Sequence, residues 1–216
     1  MDTQITAEHL LNYYRIGKFP MADSAGDDQF YICTPPERSI LPIADLHVSK
    51  SLRKTVLKGE FEVRVNTSFS EVIEKCGEAD PSRPETWINR SIKYLFNELH
   101  DKGIAHSVET WKNGELVGGL YGLELGSAFC GESMFSRARD ASKVALVHLC
   151  ARLKETGFTL LDAQLPNPHL EQFGQYLISQ EKYLELLKVA SNKPADFNGT
   201  LKSQTELVRE FLLSPK

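Results

Sequence analysis

The chain has 216 residues, 41% hydrophobic and 25% charged, with a formal net charge of −4 at pH 7. That length supports one large domain or a domain with a small appendage, and the mild charge excludes a global basic field, though not a local basic patch. No apolar run approaches the ~20 residues of a membrane span, and MDTQITAEHL lacks the basic and apolar regions of a signal peptide, so a cytoplasmic protein without a membrane partner is expected.

Thr6 is placed to cap a helix AEHLLNYYRI that Gly17 ends. The next stretch, KFPMADSAGDDQFYICTPPERSI, is rich in turn formers and reads as loops with short strands. Ser49 precedes a short helix, SLRKTVLKG, and FEVRVN alternates as a strand does. Ser68 and Glu71 have the spacing of a capping box for SEVIEKCG. Ile88, Ile92, Leu95, Phe96 and Leu99 share one face of a helix in INRSIKYLFNELHDK, which Gly103 stops. In HSVETWKNGELVGGLYGLEL two alternating runs flank Asn113-Gly114, the pair a type I′ hairpin favours. SAFCGESMF supplies a third strand. Asp140 is placed to cap a long helix, ASKVALVHLCARLKETG, and FTLLDAQL reads as a strand buried up to Asp162. A helix QEKYLELLKVAS and a weakly patterned end complete the chain.

This order is mixed α+β. A meander followed by a helix and a further strand occurs in N-acetyltransferase-like (GNAT-type) folds. The glycines that expose backbone N–H groups to a CoA pyrophosphate are absent from SRARDASK, so a different acyl carrier is expected. Cys33, Cys76, Cys130 and Cys150 are scattered without zinc-ligand spacing, and free thiols are expected.

The segments YRIGKFPM, TWINR, HSVETW, LVGGLYG, FCGESMFSRARDASKVAL, LLDAQ and NPHLEQFG occur in that order. Together, over about residues 5 to 187, they resemble the leucyl/phenylalanyl-tRNA–protein transferase family, and GESMFS and LVGGLYG are the most specific of them. The resemblance implies a small N-terminal domain (residues 1–37) and a GNAT-like aminoacyltransferase domain (38–216). It implies no cofactor and no metal. The activity implied is transfer of Leu or Phe, and more weakly Met, from aminoacyl-tRNA to the N-terminal Arg or Lys of proteins, feeding N-degron degradation. A monomer is the default expectation. The chain departs from the family pattern at FPM and ICTP, where FPW and WWSP are usual, and at QYLISQEKYL, where an IPR run is usual.

Aminolysis of an activated ester needs positioning and a proton acceptor rather than a covalent nucleophile. Cys130 has no evident base beside it. Asp162 and Gln164 fall on one strand face, so the Asp162 carboxylate can orient the Gln164 amide, whose oxygen accepts from the attacking amine. The resemblance makes this pair the catalytic relay. A primary amide is a very weak base, which favours Gln164 as an orienter. Glu132 sits between Gly131 and Ser133, ahead of Met134 and Phe135, as a single carboxylate beside an apolar wall. The resemblance places it at the acceptor peptide, where it would select a cationic terminus; an ordinary strand charge is the alternative.

Alternation puts Met134 on the Glu132 face and Phe135 on the other, so Met134 is the pocket residue for a Leu or Phe side chain. Leu120 and Phe129 fit pocket lining or core equally. Trp87 and Tyr14 are candidate stacking surfaces for the terminal adenosine of the tRNA, and Met21 stands where an aromatic wall is usual. Arg137, Arg139 and Lys143 flank a helix start and are candidates for tRNA phosphates; Arg53, Lys54 and Lys93 offer a second face. His106 and His169 are read as structural. Two other activities fit the residues: an acyl-CoA-dependent N-acyltransferase, and a non-catalytic binder of basic protein N-termini.

Overall fold

The computed structural model describes residues 5–27, 29–79, 85–200 and 202–213. Local signals account for most element ends. In α1 (Ala7–Arg15) the Thr6 hydroxyl accepts from the His9 amide, and Gly17 turns the chain at φ 74°. α2 (Lys50–Lys58) is capped by Ser49 and closed by Gly59 in the left-handed region. α4 (Arg90–Asp101) is capped by Asn89 and buries Ile92, Leu95, Phe96 and Leu99 along one face. β5 (Ala105–Lys112) and β6 (Glu115–Leu125) are joined through Asn113 and Gly114, both at positive φ, as the type I′ turn requires.

Two expected caps are replaced. Ser68 makes no side-chain cap for α3 (Phe69–Cys76). Glu109, buried on β5, accepts the Thr67 and Ser68 amides instead, at 2.9 Å each. A carboxylate at a helix N-terminus suits the macrodipole, so a neighbouring strand supplies what the Ser68–Glu71 box would have. At α5 (Ala141–Glu155) the Asp140 side chain does not cap, and its backbone is left-handed (φ 66°). The Ser136 hydroxyl accepts the Ser142 amide there, and Asp140 turns to Lys143.

Among the described residues, seven strands form one mixed sheet in the order β4-β5-β6-β7-β8-β3-β9. These are β4 (Glu62–Val65), β5, β6, β7 (Ala128–Ser136), β8 (Leu160–Gln164), β3 (Glu37–Leu41) and β9 (Tyr176–Ser179). β7 and β8 run parallel, and the other neighbours are antiparallel. A separate hairpin joins β1 (Phe19–Met21) to β2 (Tyr31–Cys33). The last helices are α6 (Pro168–Glu171), α7 (Gln180–Ser191) and α8 (Gln204–Leu213). None of the described helices is long and apolar enough to cross a membrane.

Helices cover both faces of the sheet. One buried cluster gathers Leu10 and Tyr14 of α1, Phe19 of β1, Ile73 of α3, Ile92 and Phe96 of α4, and Tyr183 of α7. The other gathers Leu52 and Val56 of α2, the length of α5, and Val208 and Leu212 of α8. α5 lies between the sheet and these helices, which explains why it is apolar nearly all round. Truncating a fully buried member such as Phe96 to Ala would cost about 3–5 kcal/mol.

Two features of β7 shape the region around Glu132. First, β7 pairs with β8 over three positions, from Ala128 opposite Leu160 to Cys130 opposite Asp162. Beyond that point β7 stays with β6 and β8 with β3. Second, Tyr121 pairs with Ser133 but Gly122 pairs with Gly131, which leaves Glu132 as the extra residue of a β-bulge. Gly122 is required opposite it. A Cβ at that position would lie 2.3 Å from the Cys130 carbonyl oxygen and 2.5 Å from the Phe129 ring.

Candidate active site

A cavity of about 300 Å³ opens where β7 and β8 stop pairing. β7 contributes Gly131 to Met134 and β8 contributes Asp162 to Gln164. Leu41, Leu120, Leu161, Leu149 and Leu170 supply apolar walls, and Met21 and Trp87 close one side. This is the size and character of a small-ligand site: apolar walls with a few converging polar groups.

Asp162 is fully buried and saturated. Arg38 Nε donates to both its oxygens, at 3.0 and 3.1 Å, and Arg38 Nη2 donates to Oδ2 at 2.8 Å. The Tyr183 hydroxyl donates to Oδ2 at 2.7 Å, and the Gln164 backbone amide to Oδ1 at 2.8 Å. Arg38, equally buried, lies between the rings of Phe19 (4.7 Å) and Tyr183 (4.2 Å) and also donates to the Gly17 carbonyl. Burial pushes the guanidinium down, but the hydrogen bonds and charge of Asp162 outweigh it, so Arg38 is held more firmly protonated than usual. A lone acid in a buried strand demands such a counter-charge. That demand was the available signal for Arg38 and Tyr183, which no local motif marks.

Gln164 departs from the expected relay. Asp162 binds its backbone rather than its side-chain amide. The backbone stands at φ 61°, a conformation that costs a non-glycine residue of order 1 kcal/mol or more. From it, Nε2 donates to Glu132 Oε1 at 2.7 Å. The Tyr14 hydroxyl donates to the same oxygen at 2.8 Å. Glu132 Oε2 is buried and has no hydrogen-bond partner among the described residues. Burial pushes the Glu132 carboxyl up to about 8, against the downward pull of the Tyr14 and Gln164 hydrogen bonds.

The bulge corrects the expected alternation. Glu132 points to the α1 side of the sheet, where it meets Tyr14. Met134 packs with Leu120 against the α5 side. Both border the cavity because it passes between the parted strands.

Tyr14 is not available for stacking. Its ring is buried edge-on against Phe96, and its hydroxyl is committed to Glu132. Phe129 lies in the core, 5.3 Å from the Phe197 ring centroid, and does not line the cavity. Arg137 is 2.6 Å from Glu78, and Arg139 and Lys143 lie 3.7 and 3.3 Å from Asp140. These three cations surround the start of α5 outside the cavity lining, each already facing an acid. His106 stacks on Phe197 inside the fold, and His169 is exposed beside Phe173. Burial raises the Cys130 thiol well above its ordinary range, which makes it a poor nucleophile. No group of three His, Cys, Asp or Glu among the described residues could hold a metal ion.

The arrangement can therefore take an apolar side chain into the cavity and present one incompletely bonded carboxyl group at its polar end. A family model described as leucyl/phenylalanyl-tRNA protein transferase matches residues 40–188. Proteins named leucyl/phenylalanyl-tRNA–protein transferase are similar to the chain along most of its length. The one from Maricaulis maris (strain MCS10) is 53% identical over 193 residues, covering 89% of each chain. The one from Caulobacter vibrioides (strain NA1000 / CB15N) is 51% identical over 199 residues, 92% of each. The one from Paramagnetospirillum magneticum (strain ATCC 700264 / AMB-1) is 52% identical over 206 residues, 94% of this chain and 99% of the relative. With half its residues identical across nine-tenths of its length, the chain belongs to the leucyl/phenylalanyl-tRNA–protein transferase family.

Proposed function

We propose that the chain transfers Leu or Phe, and more weakly Met, from aminoacyl-tRNA to the N-terminal Arg or Lys of proteins, marking them for N-degron degradation in the cytoplasm. The observation that carries this reading is the apolar cavity with the Glu132 carboxyl at its polar end. In a member of this family it matches the two halves of the reaction. The aminoacyl side chain sits against Leu120, Met134 and Met21, where a flexible thioether accommodates both Leu and Phe. Trp87, on the cavity wall, stacks on the terminal adenosine. Glu132 meets the cationic terminus of the acceptor.

Asp162 and Gln164 act in sequence. Arg38 fixes Asp162, Asp162 fixes the Gln164 backbone, and Gln164 fixes Glu132. Ester aminolysis asks for this kind of positioning, since the donor is already activated. The core, residues 38–216, is read as GNAT-like with 1–37 as a small N-terminal domain, acting as a monomer. Arg137, Arg139 and Lys143 contribute to tRNA binding once phosphates displace their acid partners.

Transfer of labelled leucine from leucyl-tRNA to an Arg-ended reporter peptide tests the reading. Labelled product with Arg- and Lys-ended acceptors is expected. No product with either, from folded protein, overturns it.

A further inference from the structure

The proposed reaction needs a group to take the proton that the attacking nitrogen sheds, and the carboxyl groups of Asp162 and Glu132 and the amide of Gln164 border the cavity. Asp162 is excluded by its own contacts. Oδ1 accepts from Arg38 Nε and the Gln164 amide, and Oδ2 from Arg38 Nε, Arg38 Nη2 and Tyr183. A carboxylate offers about four lone-pair directions, and here five contacts fill them. Gln164 is an amide, and its nitrogen already donates to Glu132. Glu132 differs from both. Oε1 holds the Tyr14 and Gln164 donors, while Oε2 is buried with no donor among the described residues. A buried, unsatisfied carboxyl oxygen in a cavity wall is costly unless something arrives to bond it.

We propose that Glu132 Oε2 takes the proton from the attacking α-amine and returns it to the oxygen that leaves the ester. The inference rests on the proposed transfer reaction. The neutral amine donates its lone pair to the ester carbonyl carbon, forming the C–N bond while the carbonyl π pair moves to oxygen. The nitrogen passes one proton to Glu132 Oε2. The tetrahedral adduct collapses, the bond from carbon to the ribose oxygen breaks, and that oxygen takes the proton from Glu132. Amide, free ribose hydroxyl and the Glu132 carboxylate result. Tyr14 and Gln164 hold Oε1 throughout, so the proton has one place to go.

The electrostatics agree. The titratable and charged groups facing Glu132 are Tyr14 of α1, Cys130 of its own strand, Asp162 of β8 and Arg38 of β3. Burial dominates, and with the nearby Asp162 it brings the carboxyl to about 8 against the pull of Arg38. An α-amine has an ordinary value of about 7.7–8.0, so the neutral amine that attacks and the ionised Glu132 that receives its proton are both populated near pH 8. The step uses the ionised form of Glu132, which is populated above that value.

The test separates proton acceptance from mere attraction to a cation. The acceptor is an arginyl peptide whose terminal amine is replaced by a weakly basic aminooxy group, uncharged across the assay range. With the parent protein, kcat/KM for this acceptor should rise with pH and level off above about 8. Glu132→Gln, which keeps an oxygen for Tyr14, should lower kcat by about 10²–10⁴-fold and abolish the inflection. Its Tm should not fall, and its Kd for charged tRNA should hold. Glu132→Asp should recover part of the rate together with a pH inflection, which a merely structural role would not produce. If Glu132→Gln matches the parent with the uncharged acceptor, Glu132 only holds the cation and the proposal fails. If the parent transfers to neither the amine nor the aminooxy acceptor, the transferase reading itself fails.

Discussion

Asp162 and Glu132 stand on neighbouring strands and border one cavity, yet their surroundings are opposite in kind. Asp162 meets a guanidinium, a phenol and a backbone amide, and every oxygen is bonded. Glu132 has one oxygen held by two neutral donors and one bare oxygen. The first arrangement fixes geometry and leaves nothing to react. The second keeps a carboxyl group close to the point of gaining or losing a proton at neutral pH. Where two acids share a site, the one with unfilled lone pairs is the better candidate for chemistry, and the filled one for scaffolding.

Removing the counter-charge should have the greatest consequence. Arg38→Leu should leave Asp162 buried without its counter-charge, held only by Tyr183 and the Gln164 amide, and cost about 3–5 kcal/mol, read as a fall in Tm and in the denaturant midpoint. A loss below about 1 kcal/mol would mean that Asp162 is not the anchor described.

The second prediction concerns Glu132 and pH. Its folded value, about 8, lies above the ordinary 4.5, so the folded state binds the extra proton between the two. Stability should therefore fall as pH rises from about 4.5 to about 8 and level off above. Glu132→Gln should remove that component and stabilise the protein at pH 8 by up to about 4 kcal/mol, measured by chemical denaturation at several pH values. Equal stability of parent and variant across the range would show that Glu132 is solvated.

Tyr14→Phe should do less, of order 1–2 kcal/mol in stability. It removes one of the two donors that hold Glu132 down, so the activity inflection should move to higher pH. A shift to lower pH would contradict the bond between Tyr14 and Glu132.

The distinction between filled and unfilled groups extends to the cations, where the change should be slightest. Arg137 and Lys143 face Glu78 and Asp140, whereas Lys50, Arg53 and Lys54 on α2 have no ion pair among the described residues. Replacing Arg137 and Arg139 by Ala should flatten the salt dependence of tRNA binding by less than the ~0.7–0.9 per phosphate contact that a free cation gives. Replacing Arg53 and Lys54 serves as the control. A slope lowered by the full amount at Arg137 and Arg139 would mean that tRNA displaces both acids completely.

Helices α1, α2, α4 and α7 and the β5–β6 hairpin are legible in the sequence because their signals are local: a cap, a glycine, an apolar stripe, an Asn-Gly pair. α8 is not, since its buried Leu207, Val208 and Leu212 gain meaning only beneath α5. β9 escapes notice as a mostly exposed edge strand paired to β3. At the site, Glu132, Gln164, Met134 and Asp162 stand out by residue type in short motifs. The counter-charge of Asp162, Arg38, lies 124 residues away in sequence, and Tyr14, one of the two donors to Glu132, lies 118 away. Alternation wrongly puts Met134 on the Glu132 face, although Met134 does line the cavity, because a bulge of ordinary residues leaves no compositional trace.

That bulge also decides which changes of length β7 would bear. Glu132 and Met134 are two positions apart, so an unbroken strand would put both on one face and cost the site either its carboxyl or its apolar wall. The extra residue lets Glu132 face α1 while Met134 faces α5. Deleting Ser133 would leave a regular strand with Glu132 in its place opposite Tyr121, and the two side chains would still face opposite ways. Inserting a residue between Ser133 and Met134 would turn Met134 toward α1 and Phe135 toward α5, emptying the apolar wall while every named side chain survived. In this strand losing Ser133 keeps the two faces and gaining a residue after it exchanges them, an asymmetry that substitutions alone would never expose.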